Sequence, residues 1–250
     1  MSVGEHGRKA LQGEFESTSA IHAVTGDFTP KSIAWGSFKA IPNTHYYLCM
    51  FYELAEELPE STEFCAKVAA LHVKSESPNG KFGFHITTYN GDLPQENGFA
   101  DTWEEFFVNG FKHMLNLNIE RGGPWEEMKS LESGMLSKVI PRLIRPMETG
   151  GRSVKPALVH GDLWCGNAAV DTQTGLPLIY DPSSFYAHNE CKKYRFFVRL
   201  LLYKQLSDVL GNWRPERNKF SHSYFSAYHS HVPKSTPEDD YDDRNALYSM

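Results

Sequence analysis

The feature that most constrains this chain is a polar turn placed directly after a short apolar run. Residues 158–162 read LVHGD, and Asn167 stands five residues after Asp162. A second apolar run then ends on an aspartate, in residues 178–181 (LIYD). Short apolar runs bounded by glycine and polar residues are typical of buried strands. We therefore expect two strand ends to present two aspartates and one asparagine to a common site.

The order and spacing of these three side chains are typical of phosphoryl-transfer sites. In such sites one carboxylate contacts the substrate hydroxyl, while an asparagine oxygen and a second carboxylate hold Mg²⁺ against the nucleotide phosphates. Because Mg²⁺ prefers oxygen ligands, Asn167 and Asp181 are the predicted metal ligands, and Asp162 is the predicted catalytic base. Either fragment alone is better explained as an ordinary turn, whereas the ordered pair favours the site.

Several longer segments carry a resemblance to a known family. They are residues 160–167 (HGDLWCGN), 181–190 (DPSSFYAHNE), 81–85 (KFGFH), 91–97 (GDLPQEN) and 101–107 (DTWEEFF). With these segments the chain resembles the fructosamine/ketosamine kinases, in the aminoglycoside-phosphotransferase branch of the protein-kinase-like superfamily. The resemblance implies a mixed α/β, two-lobe fold with a truncated N-lobe and a mostly helical C-lobe. Residues 1–53 would form the partial N-lobe and residues 54–250 the C-lobe.

The resemblance also implies an activity and its cofactors. The activity is ATP-dependent phosphorylation of the 3-hydroxyl of ketosamines, ribulosamine or fructosamine, leading to deglycation. The substrate would be a glycated protein or a small ketosamine, with ATP and Mg²⁺ as cofactors. By the same resemblance His188 and Glu190 would orient the second aspartate.

Nucleotide contacts are expected near the start of the chain. Residues 46–52 (YYLCMFY) have the composition of a buried strand. The resemblance places adenine against the hinge that follows, at Met50, Phe51 and Tyr52. It also makes Glu14, on a helix predicted at residues 9–24, the partner of a strand lysine, and adds Asn167 and Asp181 to the nucleotide-binding residues. Without the resemblance, a solvated helix carboxylate explains Glu14 equally well.

The first residues lack parts that a kinase of this type needs. The segment before Glu14 contains Gly4, Gly7 and Lys9, but no glycine-rich loop and no apolar strand that ends in lysine. We therefore expect that the chain is truncated at its N-terminus and that its kinase activity is very weak or absent. By the resemblance, we expect that the chain is also clipped at its C-terminus.

Two alternative functions stay open. One is another small-molecule kinase of the same fold, of the aminoglycoside or choline type, because these share the His-Gly-Asp, Asn and Asp frame. The other is a catalytically inactive pseudokinase fragment, favoured by the absent lysine and glycine-rich loop.

Composition limits the class of partner. Of the 250 residues 40% are hydrophobic, which indicates a globular protein, and the net charge of −6 favours neither nucleic acid nor an anionic membrane as partner. Four scattered cysteines without metal-binding spacing indicate reduced thiols and a cytoplasmic setting. The sequence does not determine the oligomeric state.

The remaining segments give helix predictions and one anomaly. Helices are predicted at residues 62–74, 102–116 with Asp101 as the N-cap, and 124–144. Residues 191–210 are basic and apolar, unlike their surroundings, and indicate an insertion, either a translated intron or a genuine helix. The acidic run 238–243 is either a binding site for cationic amines or a solvated helix start.

Overall fold

The structure is a computed structural model that describes residues 1–55, 57–123, 126–191 and 219–249. Apart from Cys191, the predicted insertion at residues 191–210 lies outside the described residues. No helix among the described residues is both long enough and apolar enough to cross a lipid bilayer.

The N-terminal part is a three-stranded antiparallel sheet with one long helix packed on it. Its elements are β1 (Ser2–Val3), α1 (Gly4–Thr25), β2 (Ser32–Ser37) and β3 (Thr44–Cys49), with the strand order β1-β3-β2. Helix α1 begins earlier than predicted, because Gly4 takes a positive φ of 80° and donates its N–H to the carbonyl of Asn43. Strand β3 is shorter than predicted and is not buried on both faces, since Leu48 is 51% exposed.

The rest of the described chain is mostly helical. Its helices are α2 (Ser61–Lys74), α3 (Trp103–Gly122), α4 (Glu126–Gly134), a π-helical segment (Met135–Val139), α5 (Ile140–Leu143), α6 (His222–His229) and α7 (Tyr241–Tyr248), with 3-10 turns at Arg145–Glu148 and Glu238–Asp240. Aromatic side chains dominate the core between them. Trp103 is fully buried and stacks on Phe106, and its indole N–H donates to the hydroxyl of Tyr248 at 2.8 Å.

Two details of these helices differ from the sequence prediction. The N-cap of α3 is Thr102, whose hydroxyl accepts the N–H of Glu105, whereas Asp101 instead pairs with Lys81. The predicted helix at 124–144 is interrupted by the π-helical segment just before Pro141. Proline lacks an N–H and its ring clashes with the carbonyl four residues earlier, so a wider turn upstream accommodates it.

Short antiparallel strands connect the two parts and carry the polar loops. Strand β7 (Ala157–Val159) pairs with β10 (Phe185–Ala187), and β8 (Ala168–Asp171) lies between β4 (Leu54–Ala55) and β9 (Pro177–Ile179). A 3-10 turn, Cys165–Asn167, precedes β8, and a small hairpin is made by β5 (Tyr89–Asn90) and β6 (Leu93–Pro94). The end of β7 and the end of β9 therefore deliver their polar residues to one region.

Candidate active site

His160 joins the two loops that carry the predicted site residues. Its ring Nδ1 accepts the backbone N–H of Asp162 at 3.2 Å, and its Nε2 lies 3.0 Å from the carbonyl of Tyr180. Because a carbonyl can only accept, the neutral ring carries its proton on Nε2. The carbonyl of His160 also accepts the N–H of Ser183 at 2.9 Å. The buried imidazole thus fixes the turn before Asp162 and the segment that contains Asp181 relative to each other.

Gly161 is required where these two loops touch. Its φ of 82° lies in the left-handed region, and a Cβ built on it would collide with the backbone carbonyl of Ser183. A larger residue would therefore push apart the loops that His160 joins.

Asp162 and Asn167 contact each other directly. The amide nitrogen of Asn167 donates to the carbonyl of Asp162 at 2.8 Å and approaches its carboxylate at 3.4 Å. The backbone carbonyl of Asn167 accepts the N–H of Tyr180 at 3.1 Å, which holds the loop against the end of β9. Since the amide nitrogen is engaged on Asp162, the side-chain oxygen of Asn167 remains available as a ligand.

Two further carboxylates extend this pair, because Asp181 lies within electrostatic reach of Asp162 and Glu14 lies within electrostatic reach of Asp181. Asp181 is exposed, and partial desolvation together with the charge of Asp162 raises its pKa. Burial and then the charge of Asp181 raise the pKa of Glu14 to about 7. The predicted site residues from α1, β7 and β9 are therefore brought into one negatively charged cluster, here called the carboxylate cluster: Glu14, Asp162 and Asp181.

Asn167 and Asp181 carry donor atoms that suit a hard divalent cation. Mg²⁺ is held by oxygen ligands, commonly one or two carboxylates together with phosphate and water oxygens. Asn167 and Asp181 offer such oxygens, and a cation would relieve the repulsion that raises the pKa of Asp181. In the described part of the chain, no three His, Cys, Asp or Glu side chains are grouped as a metal site. Asn167 is not one of these four residue types, and oxygen atoms of a bound nucleotide would complete the ligand set.

The predicted hinge residues follow directly after β3, whose last residue, Cys49, lies within electrostatic reach of Glu14. Burial, with the charge of Glu14, raises the pKa of the Cys49 thiol at the end of this strand. Met50 donates its N–H to the carbonyl of Lys31, and Phe51 is 88% exposed. The exposed Phe51 and its neighbour Tyr52 thus follow a strand whose end lies near Glu14.

A polar network around Ser183 was missed in the sequence analysis. The side-chain amide of Gln95 donates to the carbonyl of Ser183 and to the hydroxyl of Thr88, both at 2.8 Å, and Asn97 donates to the same hydroxyl at 2.7 Å. From the other side, the Ser17 hydroxyl on α1 accepts the N–H of Ser184 at 2.9 Å. We call these contacts the Ser183 clamp. It fixes the backbone two residues after Asp181.

Helix α1 also approaches this clamp through a glycine. A Cβ on Gly13 would lie 3.2 Å from the carbonyl of Thr87 and 3.3 Å from the Cα of Thr88. A larger residue at this position would force the helix and the loop apart. The glycine before Glu14, together with the cluster of polar residues at 88–97, was the available sequence signal for this contact.

The predicted role of His188 and Glu190 is wrong. Both are buried beyond the far end of β10, where His188 hydrogen-bonds the hydroxyls of Tyr248 and Ser235 at 3.0 and 2.8 Å. Glu190 forms a fully buried ion pair with Arg244 at 3.3 Å and accepts the N–H of Ser235. These residues hold the C-terminal helices in place and do not orient Asp181.

Comparison with protein families identifies a match over most of the chain. The model of the fructosamine kinase family matches residues 4–193. A ketosamine-3-kinase from Mus musculus is 34% identical over 171 residues, 68% of this chain and 46% of the relative. A chloroplastic protein-ribulosamine 3-kinase from Oryza sativa subsp. indica is 30% identical over 192 residues, 76% and 52% of the two chains. The chain spans about half the length of these curated relatives.

Solved structures share the fold. A candidate fructosamine-3-kinase from Haemophilus somnus superposes with a TM-score of 0.64 at 17% identity, covering 96% of this chain and 70% of the other. Another, from Thermobifida fusca, gives a TM-score of 0.66 at 20% identity, with coverage of 95% and 71%. The predicted kinase-like mixed α/β fold is confirmed.

Proposed function

Because this chain belongs to the fructosamine kinase family, we propose that its activity is the ATP-dependent phosphorylation of the 3-hydroxyl of ketosamines. The observation that carries the proposal is the hydrogen-bonded pair of Asp162 and Asn167 beside Asp181. The two relatives named above as ketosamine and protein-ribulosamine 3-kinases support this substrate class. Phosphorylation of the sugar on a glycated lysine would lead to deglycation of that protein.

Each residue of the site has a defined part in this reaction. The substrate hydroxyl oxygen would attack the γ-phosphorus of ATP, the bond to the β,γ-bridging oxygen would break, and the hydroxyl proton would pass to the carboxylate of Asp162. The contact from Asn167 helps to hold that carboxylate in place. Asn167 and Asp181 would hold Mg²⁺, which when bound neutralises phosphate charge.

The nucleotide would lie along β3 and α1. We assign residues 1–53 to the N-lobe and residues 54–250 to the C-lobe, so that the hinge at Met50, Phe51 and Tyr52 joins them next to adenine. Glu14 lies on α1 within electrostatic reach of Asp181, where it would pair with a strand lysine that the segment before Glu14 does not contain. The four free cysteines support a reducing, cytoplasmic setting for this reaction.

A turnover assay with three substrate classes tests the proposal. The purified chain is incubated with ATP, Mg²⁺ and ribulose-lysine, fructose-lysine or an amino alcohol, and phosphorylated products are measured by mass spectrometry. We expect slow phosphorylation of a ketosamine, in keeping with the very weak activity predicted from the sequence, and no phosphorylation of the amino alcohol. Replacement of the base, Asp162→Asn, should lower kcat by about 10²-fold or more. Asp92→Asn, whose carboxylate is 90% exposed outside the cluster, is the matched control.

Two outcomes would contradict the proposal. Phosphorylation of choline or an aminoglycoside in place of ketosamines would assign the chain to another kinase class. Unchanged ketosamine turnover in Asp162→Asn would remove the role of the carboxylate cluster.

A second candidate function is nucleotide binding without turnover. It is favoured by Glu14, because no Lys or Arg side chain of the described residues is among the causes of its pKa shift. This function predicts that ATP with Mg²⁺ raises the melting temperature, since a ligand that binds the folded state stabilises it. It also predicts that no ketosamine substrate is phosphorylated in the same preparation.

A further inference from the structure

A second cavity, distinct from the carboxylate cluster, lies at the opposite end of the β7–β10 pair. Its volume is about 330 Å³, and its lining comes from the segments just before β7, just after β10 and just before α7. Strand β7 spans roughly 10 Å, and the turn to Asp162 begins only after its other end. The cavity is large enough for a small organic ligand.

The lining of this cavity carries positive charge. Arg152, Lys155 and Lys234 contribute to its wall, and the described lining contains no aspartate or glutamate. This is unexpected in a chain with a net charge of −6. A concave surface of one sign concentrates ions of the opposite sign, because low-dielectric walls focus the field.

Contacts within the wall hold the three cations in place without neutralising them. Arg152 donates its Nε to the carbonyl of Pro146, and Lys155 donates its Nζ to the carbonyl of Val73 at 2.6 Å. The Nζ of Lys234 lies 4.3 Å from the centre of the Tyr241 ring. Within residues 1–55, 57–123, 126–191 and 219–249, no carboxylate forms an ion pair with any of these three side chains, so their charge remains available to a ligand.

Polar neutral groups complete the wall. Ser153, Ser235, Thr236 and Asn189 supply hydroxyl and amide donors, which contact phosphate oxygens without adding charge. The remaining titratable group is His188, whose pKa burial lowers to about 4. The imidazole is therefore neutral at physiological pH, and it is already engaged by Tyr248 and Ser235. The Glu190 carboxylate behind it is paired with Arg244.

From this arrangement we propose that the cavity lined by Arg152, Lys155 and Lys234 is a binding site for a phosphate-bearing small molecule. Guanidinium and ammonium groups are the side chains that bind phosphate oxygens most strongly, the former as a planar fork and the latter as a point charge. The proposal is independent of the proposed activity, because it uses no residue of the carboxylate cluster.

Titration with inorganic phosphate tests the site. Binding to the full chain is measured by calorimetry and by thermal shift, in chloride buffers of matched ionic strength and without Mg²⁺ or nucleotide. We expect saturable binding with a Kd of about 1 mM, which corresponds to about 4 kcal/mol. The variant Arg152→Gln/Lys234→Gln should weaken it about tenfold or more, equivalent to about 1.4 kcal/mol.

Matched controls separate this site from general charge effects and from the active site. Lys112→Gln/Lys138→Gln removes two exposed positive charges elsewhere and should change the Kd less than about twofold, within the spread of surface charge effects. Asp181→Asn alters the carboxylate cluster and should leave phosphate binding intact. The single variants Arg152→Gln and Lys234→Gln replace the double variant if its melting temperature falls in the absence of phosphate.

Three results would overturn the assignment. The first is the absence of saturable binding up to about 50 mM phosphate, a concentration at which a site with a Kd of about 1 mM would be nearly filled. The second is an equal rise in Kd for the control variant Lys112→Gln/Lys138→Gln. The third is an unchanged Kd in the Arg152 and Lys234 variants.

Discussion

Glu14 provides the sharpest test of the carboxylate cluster, because its pKa is raised from the ordinary value of 4.5 to about 7. In the unfolded chain the group ionises near 4.5, whereas in the folded protein it keeps its proton until about pH 7. Folding therefore loses stability as the pH rises through this interval, and the loss is complete above pH 7. The shift corresponds to about 3 kcal/mol.

The variant Glu14→Gln isolates this contribution, because glutamine imitates the protonated form at every pH. Its free energy of unfolding should exceed that of the parent by about 1 kcal/mol at pH 5 and about 3 kcal/mol at pH 8. The measurement is urea denaturation at pH 5, 6, 7 and 8, followed by circular dichroism and fluorescence so that two-state unfolding is checked.

Two further variants assign the cause. Asp181→Asn removes the charge that contributes to the shift, so the difference between parent and Glu14→Gln should narrow in that background. Glu120→Gln makes the same chemical change on the exposed face of α3, and its difference from the parent in free energy of unfolding should not change with pH. A Glu14→Gln difference that is the same at pH 5 and pH 8 would refute the raised pKa of Glu14, and a pH dependence that is unchanged in the Asp181→Asn background would refute the contribution of the Asp181 charge.

Three further predictions concern residues that hold the site and the C-terminal helices. Gly161→Ala should lower the free energy of unfolding by about 3 kcal/mol, because the new Cβ adds both backbone strain and a collision with Ser183. The control Gly175→Ala has a similar φ but open space around it, so strain alone should lower the free energy of unfolding by about 1–2 kcal/mol in the same urea titration. Arg244→Met leaves the buried carboxylate of Glu190 without its cation and should lower the free energy of unfolding by about 3–5 kcal/mol. Much of this loss should be recovered in the double variant Glu190→Leu/Arg244→Met, in which no buried charge remains. Equal losses of stability in the single and the double variant would contradict the ion pair. Burial lowers the pKa of His188 from 6.5 to about 4, so its folded-state contribution is lost as the pH drops through this interval. The difference in free energy of unfolding between the parent and His188→Gln should therefore change by about 3 kcal/mol between pH 6.5 and pH 4, in disfavour of the parent, and a difference that is constant with pH would contradict the lowered pKa.

The candidate site could be predicted because its residues are close along the chain. Asp162 and Asn167 are five residues apart in one loop, and Asp181 follows the next strand pair, so strand–turn patterns alone bring them together. The mixed α/β fold was predicted through the resemblance of these same segments.

The supporting contacts were not predictable because they join distant parts of the chain. Nothing near Glu190 indicates a partner at Arg244, 54 residues later, and the same holds for Gln95 and Ser183, 88 residues apart. The N-cap of α3 was misassigned for a related reason, since Asp101 and Thr102 are both good caps. The competing lysine that engages Asp101 is supplied by a separate loop.

The Ser183 clamp also gives the small β5–β6 hairpin an influence beyond its size. Its tip, at Gly91 and Asp92, is exposed, and the clamp residues Thr88 and Gln95 stand three residues away on either side. Cleavage of the chain at the tip would cut no bond beside a residue of the carboxylate cluster, yet it would break the shortest covalent path between Thr88 and Gln95. Limited digestion at this remote surface position would therefore loosen the backbone behind Asp181 before the rest of the protein unfolds.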